Sequence, residues 1–314
     1  VEHVCVSKLF CSVRIPGHPV DRLVSNFKTT AECTAAGVEV PVPYFIVALP
    51  GGRFFAVPMI DVKTKRRLTV GEVCAVLRDL QQQAPSLPSS EIGWLTAAPR
   101  RTWAQARECL ASHAPVNQRS LELIGGALAI MILDEAIPAD PVARAVDAAA
   151  APDQSSHWND LGQSWTVYAD GTIAGGMQHS AMDAVPSFRQ DEYIFKYMED
   201  FLQGGGSFAA GQVNYSSQAE FLRWEVPSSL GHVHRAVQSA KDAVARIRDE
   251  WDVQGFQLHG FGGKSLRSLR VSPDSFVQMA IQLAYDRCHG GDGAGAPTYE
   301  SVGTLRYRHG RTET

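Results

Sequence analysis

Asp170-Gly171, set between two short segments of alternating character, is the stretch that leaves this chain the least freedom. Ser164-Trp165-Thr166-Val167-Tyr168-Ala169 reads as a strand, the Asp-Gly pair as a tight turn, and residues 172–177 as the returning strand. The hairpin brings His179 to the exit of a strand, where a sheet hands the chain to a loop and a side chain is presented accurately. Asp183 follows four residues on, a spacing that a helical or turn-like exit folds back towards the imidazole. A carboxylate on one ring nitrogen fixes the tautomer and leaves the other nitrogen to accept a proton. Gly175 and Gly176 leave the backbone uncluttered, so that a substrate can come close. The chain has ten histidines, and a surface pair or a satisfied core residue stands beside that reading until other groups converge on it.

At 314 residues the chain is long enough for a large core and for parts of two domains. A hydrophobic content of 45% and a charged content of 20% describe an ordinary soluble globular protein. The net charge of −4 excludes general nucleic-acid binding, which needs a clustered basic surface. Cysteines 5, 11, 33, 74, 109 and 288 form no CxxC pair and no Cys/His spacing suited to zinc. They read as reduced, buried thiols of an intracellular protein, and no metal is expected. The longest apolar run, 125–133, falls far short of the ~20 residues of a membrane span and is expected to be a buried helix. The chain begins with Val1 and ends at Thr314 without a tail, so both ends are expected to be cut.

Along the chain, Arg14-Ile15-Pro16-Gly17 reads as a turn, 44–49 and 54–58 as strands joined by Pro50-Gly51-Gly52. Thr69 and Glu72 have capping-box spacing, and Val73, Val76, Leu77 and Leu80 follow at helical period, which predicts a helix over 70–83. Residues 85–90 read as a loop and 92–96 as a short strand. Thr102 is expected to cap a helix to about His113, and Asn117 another to about Leu133. Residues 138–153, rich in Ala, Pro and Asp, suggest no definite element. A helix over 191–202 carries Ile194, Tyr197, Met198 and Phe201 on one face, and 203–221 reads as a linker or surface loop. The domain change is placed near 224–227, giving domains 1–224 and 225–314. Beyond it, 234–251 is a helix with Val237, Ala240, Val244, Ile247 and Trp251 in a stripe, and 256–260 a short strand. Ser272-Pro273-Asp274 starts a helix whose buried face is Phe276, Met279, Ala280, Leu283 and Ala284, and Gly290-Gly291 ends it. Strands and helices alternate, which indicates an α/β or mixed layered fold.

Two further clusters carry chemistry. Gly262-Gly263-Lys264-Ser265-Leu266-Arg267-Ser268-Leu269-Arg270 sets three cations and two glycines ahead of the Ser-Pro-Asp helix start. That suits a polyanion such as a nucleotide 3′-phosphate or a pyrophosphate, and equally a solvated basic loop. It is not a Walker loop, because the spacing to Lys is wrong. Thr298-Tyr299-Glu300-Ser301, with Arg306 and Gly310-Arg311-Thr312-Glu313-Thr314, offers hydroxyls for a small carboxylate, or is a plain polar strand.

Taken together, these segments resemble the choline/carnitine acyltransferase family through most of the chain. The family's catalytic histidine context is matched by Met177-Gln178-His179-Ser180-Ala181-Met182-Asp183, followed by Pro186. Its Ser-Pro-Asp-Ala-Phe-Ile-Gln helix stands as Ser272-Pro273-Asp274-Ser275-Phe276-Val277-Gln278, continuing into Leu283-Ala284-Tyr285-Asp286-Arg287. Its Thr-Tyr-Glu-Ser and Gly-Arg-Thr-Glu-Thr segments stand at 298–301 and 310–314. Arg14-Ile15-Pro16 with Val24-Ser25-Asn26-Phe27, and Gly93-Trp94-Leu95-Thr96 with Arg101-Thr102-Trp103, are similar to its N-terminal-domain segments.

The resemblance implies two layered α/β domains of the chloramphenicol acetyltransferase-like fold, the second truncated, with His179 in a tunnel between them. It implies acyl exchange between coenzyme A and carnitine, with His179 as general base and Asp183 orienting its ring. Arg267 would contact the 3′-phosphate of coenzyme A, with Asp274 the acidic residue beside that site and Lys264 a further coenzyme A residue, and Tyr299 and Thr312 would hold the carnitine carboxylate. The Thr-Glu-Thr ending favours carnitine over choline. A choline O-acetyltransferase and a non-catalytic acyl-CoA-binding protein of the same fold are the alternatives. Acyl-CoA is a co-substrate, with no tightly bound cofactor. The expected partners are acyl-CoA and carnitine, with no nucleic acid, no transmembrane segment and no second subunit, in a mitochondrion or peroxisome. Three departures stand out. Gln178 replaces the family's glutamate beside the histidine, and a family lysine falls on Gly263 with Lys264 one place along. The family's Ser-Thr-Ser oxyanion segment, an arginine for the carnitine carboxylate and the residues that set acyl length would lie beyond Thr314.

Overall fold

Two apolar strands joined by a glycine turn, Tyr44–Leu49 (β1) and Arg53–Pro58 (β2), open the architecture and pair antiparallel from Tyr44 opposite Pro58 to Leu49 opposite Arg53. The structure, a computed structural model, describes residues 44–61, 64, 66–178, 184–206, 219–255, 258–291, 297–299 and 303. The sequence segments read at 14–17, 24–27, 300–301 and 306–314 lie outside these residues. Next come Val70–Gln83 (α1), Arg100–His113 (α2), Pro115–Gly125 (α3), Ile130–Leu133 (β3), Pro141–Ala150 (α4), Gln163–Val167 (β4) and Ile173–Met177 (β5). Ala184–Gln203 (α5), Glu220–Phe221 (β6), Gly231–Glu250 (α6), Gly263–Ser268 (α7) and Pro273–Cys288 (α8) follow.

The six strands form one sheet in the order β5-β4-β3-β1-β2-β6. Its centre is parallel, with β3 between β1 and β4, and antiparallel partners flank it on both sides. Alternation along β1 and β2 divides the core in two. Ile46, Ala48, Phe54 and Ala56 join Ile130 and Ile132 of β3 beneath α2, α3 and α6, where Trp103, Leu110, Leu121, Ile124, Val237 and Ala240 are buried. Val47, Leu49, Phe55 and Val57 meet Val76 and Leu80 of α1 on the opposite face. Covered on both faces, these strands read as continuous apolar runs. Trp158 ties the first layer together, edge-on to Phe54 and Trp103 and stacked on Trp224.

The capping box of α1 forms as the spacing predicts: the Thr69 hydroxyl accepts from the Glu72 amide and the Glu72 carboxylate accepts from the Thr69 amide. Arg66 adds a two-pronged ion pair to Glu72, at 3.0 and 2.7 Å, and these bonds pull its carboxyl down to about 2. Segment 138–153 resolves into α4, capped by the Asp140 carboxylate at the amides of Val142 and Ala143.

Several expectations are corrected. Residues 92–97 are a 3₁₀ helix rather than a strand, closed by i→i+3 bonds and by the Thr96 hydroxyl donating to the Gly93 carbonyl, 2.8 Å. A short apolar run that is buried on all sides has no period to tell the two apart. Asn117 is inside α3, not at its start. Its Nδ2 donates to the carbonyls of Leu110 and Glu225 while its Oδ1 accepts from the Glu225 amide. The run 125–133 is not one buried helix: α3 ends at Gly125 and the chain re-enters as β3, a central strand of the sheet. The face assigned to the interior on α8 is exposed among the described residues, with Met279 63% and Leu283 50% accessible.

The chain divides into two compact units, Val1–Val253 and Gln254–Thr314. The stripe Val237, Ala240, Val244 of α6, which the sequence sets after the domain change, packs into the core of the first unit. The first compact unit therefore takes in all of α6. In the second unit, Ser272 caps α8 by accepting from the Ser275 amide, as the Ser-Pro-Asp signature predicts, and residues 258–260 form no strand.

Candidate active site

The hairpin β4–β5 takes its expected form. Gln163 lies opposite Met177 and Val167 opposite Ile173, and the Asp170 carboxylate accepts from both the amide and the hydroxyl of Thr172 to close the turn. Those two bonds lower the Asp170 pKa. His179 and Asp183 lie outside the described residues, so the candidate base is bounded by its flanks. On the approach, the Gln178 amide donates to the Gly162 carbonyl at 3.1 Å, extending the ladder one residue past Met177. On the departure, α5 begins at Ala184, earlier than the expected 191.

A contact the sequence does not announce joins the two flanks. Gln163, 3% exposed at the first position of β4, exchanges two hydrogen bonds with Gln190 in the second turn of α5. Each amide donates to the other's carbonyl oxygen, at 2.6 and 2.9 Å. Beside them, burial raises the carboxyl pKa of Asp191.

The two glycines ahead of His179 differ from one another. A side chain at Gly176 would meet the Ser164 hydroxyl at 2.4 Å, so protein rather than open space occupies that position. Gly175 is exposed and has only the edge of the Trp165 ring near it, at 3.9 Å. Of the pair, Gly175 alone keeps the openness read from the sequence.

In the second unit, Lys264 and Arg267 lie one turn apart on α7, both exposed. The amide of Val271 donates to the Leu266 carbonyl at 2.9 Å, and Phe261 meets Phe276 edge-on at 5.8 Å. These contacts hold the basic helix against the start of α8, where Asp274 is exposed in the first turn. Among the described residues, no carboxylate pairs with Lys264 or Arg267. Tyr299 is 88% exposed, and Thr312 lies outside the described residues.

Elsewhere, a recess of about 280 Å³ between α3 and β6 is lined by Val116, Arg119, Ser120, Glu220, Phe221 and Arg223. Arg119 and Glu220 bind each other there at 2.7 Å in two places, and none of His179, Asp183, Lys264, Arg267, Asp274, Tyr299 and Thr312 is among the lining residues. Among the described residues, no group of three His, Cys, Asp or Glu side chains is set to hold a metal ion, and no helix is long and apolar enough to cross a membrane.

The family model for choline/carnitine O-acyltransferases matches residues 2–314. The chain belongs to the choline/carnitine O-acyltransferase family. Its mixed α/β fold around a six-stranded open sheet agrees with that membership. Among relatives in the family, it is 26% identical to choline O-acetyltransferase of Danio rerio over 318 residues, covering 98% of the chain and 46% of that protein. It is 28% identical to choline O-acetyltransferase of Mus musculus, covering 98% and 46%. It is 27% identical to peroxisomal carnitine O-octanoyltransferase of Homo sapiens over 314 residues, covering 98% and 48%. The chain spans about half the length of the curated family members it matches.

Proposed function

We propose that this protein is a carnitine O-acyltransferase, reversibly moving an acyl group between coenzyme A and the carnitine hydroxyl. The observation that supports acyl transfer with coenzyme A is the family match over residues 2–314, which takes in every residue read as a site; the choice of carnitine rests on the Thr-Glu-Thr ending. His179 removes the hydroxyl proton as the alcohol oxygen attacks the thioester carbonyl. The tetrahedral intermediate then expels the coenzyme A thiolate, which takes the proton back from the imidazolium. Asp183 holds the ring in one tautomer. Lys264 and Arg267, exposed and without carboxylate partners among the described residues, are available to the phosphates of coenzyme A, beside Asp274. Tyr299 and Thr312 are assigned to the carnitine carboxylate. In this reading residues 1–224 carry the base and 225–314 begin the domain that binds coenzyme A and carnitine.

Relatives of both names match at similar identity, so choline as acceptor is the second reading. Thr312 in a Thr-Glu-Thr ending favours carnitine, because choline has no carboxylate to bind. Two carnitine O-octanoyltransferase relatives are named peroxisomal, which supports that organelle as the location, with the mitochondrion the alternative by family resemblance. Release of coenzyme A thiol from acetyl-, octanoyl- and palmitoyl-CoA, with L-carnitine or choline as acceptor, tests the proposal. Carnitine-dependent release that His179→Ala abolishes is the expected result. Choline dependence would move the substrate, and acyl-CoA binding without turnover would leave a binding protein instead.

A further inference from the structure

Gln163 and Gln190 are 27 residues apart in sequence, yet their side chains meet and join the hairpin to α5. Gln163 lies directly opposite Met177, two residues before His179, and the helix that carries Gln190 begins one residue after Asp183. One buried side chain therefore ties the strand that leads into this segment to the helix that leads out of it. A reciprocal amide pair has fixed geometry, two parallel bonds with neither partner free to swivel. It also carries no net charge, so it joins the two elements without biasing the protonation of an imidazole carried between them.

We propose that this clasp makes Gln190, held by Gln163, a positioning residue for the base. The inference rests on the reading of His179 as that base. Fixing the end of β5 against the start of α5 sets the span that residues 179–183 have to bridge before substrate arrives. A displacement of about 1 Å at a reacting group is enough to lower a rate ~100-fold. Gln190 needs no contact with either substrate to act in this way.

Gln190→Leu removes both bonds and keeps a good helix former. Hydrogen exchange by mass spectrometry should then quicken tenfold or more in peptides covering 173–178 and 184–190, with α2 and α6 unchanged. In the acyl-transfer assay kcat should fall at least tenfold while the KM for acyl-CoA stays within twofold. Should Gln190→Leu fail to fold, Gln190→Glu gives a second reading. Its carboxylate accepts from Gln163 but cannot donate, whereas the protonated acid does both. Protection of 173–178 and 184–190 in that variant should therefore return as the pH falls through the carboxyl pKa. Exchange that is unchanged in Gln190→Leu, or that rises equally across the whole unit, overturns the clasp, as does pH-independent protection in Gln190→Glu. If His179→Ala leaves turnover intact, the assignment of the base fails while the exchange result still decides whether the clasp holds the flanks.

Discussion

The amides of Gln163 and Gln190 satisfy each other across 2.6 and 2.9 Å, and neither has another side-chain partner among the described residues. A buried amide that loses its only partner costs about 1–3 kcal/mol, whereas two apolar groups of similar shape in place of both can be nearly neutral. Gln163→Leu alone is therefore expected to destabilise by about 1–3 kcal/mol, and Gln163→Leu with Gln190→Leu by less than the two single changes added together. Urea unfolding of the four proteins measures the difference. Simple additivity would show that the amides do not act as a pair.

Gly93 is a position where the core leaves no room for a side chain. A Cβ there would come within 2.1 Å of the Ser155 carbonyl, 2.6 Å of the Gln154 carbonyl and 2.7 Å of the His157 carbonyl. All three are backbone, so nothing flexible can yield. Gly93→Ala is expected to cost more than about 3 kcal/mol or to prevent folding. Gly171 has nothing within 4 Å but a φ of 79°, so Gly171→Ala should cost only about 1 kcal/mol, from backbone strain alone. Thermal unfolding of both variants makes the comparison, and a Gly93→Ala protein as stable as Gly171→Ala would count against the close approach of Gly93 to the carbonyls of Gln154, Ser155 and His157.

His157 is 5% exposed, and neither ring nitrogen makes a well-formed hydrogen bond among the described residues. Burial pushes its pKa below the ordinary 6.5, against the opposing pull of Asp134, Asp153 and Asp147. Above pH 6.5 the ring is neutral whether the chain is folded or not. As the pH falls below 6.5 the unfolded chain takes up a proton that the folded chain resists, so stability is lost on acidification. His157→Leu should flatten the decline of Tm between about pH 6.5 and 5 relative to the parent. Parallel declines in the two proteins would assign the acid sensitivity elsewhere.

Arg267, exposed on α7 and without a carboxylate partner among the described residues, should matter to one phosphate only. Arg267→Ala is expected to raise the KM for acyl-CoA roughly tenfold by removing a charge-assisted bond. With 3′-dephospho-acyl-CoA as donor the same variant should behave like the parent. An equal loss with both donors would detach Arg267 from the 3′-phosphate.

Much of this molecule is written in signals that span a few residues. The β4–β5 hairpin follows from an Asp-Gly turn between alternating segments, α1 from Thr69 and Glu72, and the start of α8 from Ser-Pro-Asp. What the sequence hides depends on partners far along the chain. Residues 125–133 are uniformly apolar, and only pairing with β1 and β4 makes their second half a strand. Asn117 has the chemistry of a helix cap, but the backbone at Glu225, 108 residues away, claims its amide. The candidate site shows the same division. His179 and the basic stretch around Arg267 stand out by residue type and by family resemblance, whereas Gln163 and Gln190 are two ordinary glutamines until folding sets them face to face.

The bracket that Asn117 forms around Glu225 has a practical consequence. After residue 218 the chain is held to the rest of its unit by the β2–β6 ladder, the Arg119–Glu220 ion pair, the Ser120 hydroxyl at the Arg223 carbonyl, the Asn117 bracket and the buried stripe of α6. None of these ties needs a continuous backbone. A protease cut between 206 and 219 should therefore leave two pieces that migrate together in native gels and separate only in denaturant, and the pieces made apart should find each other when mixed.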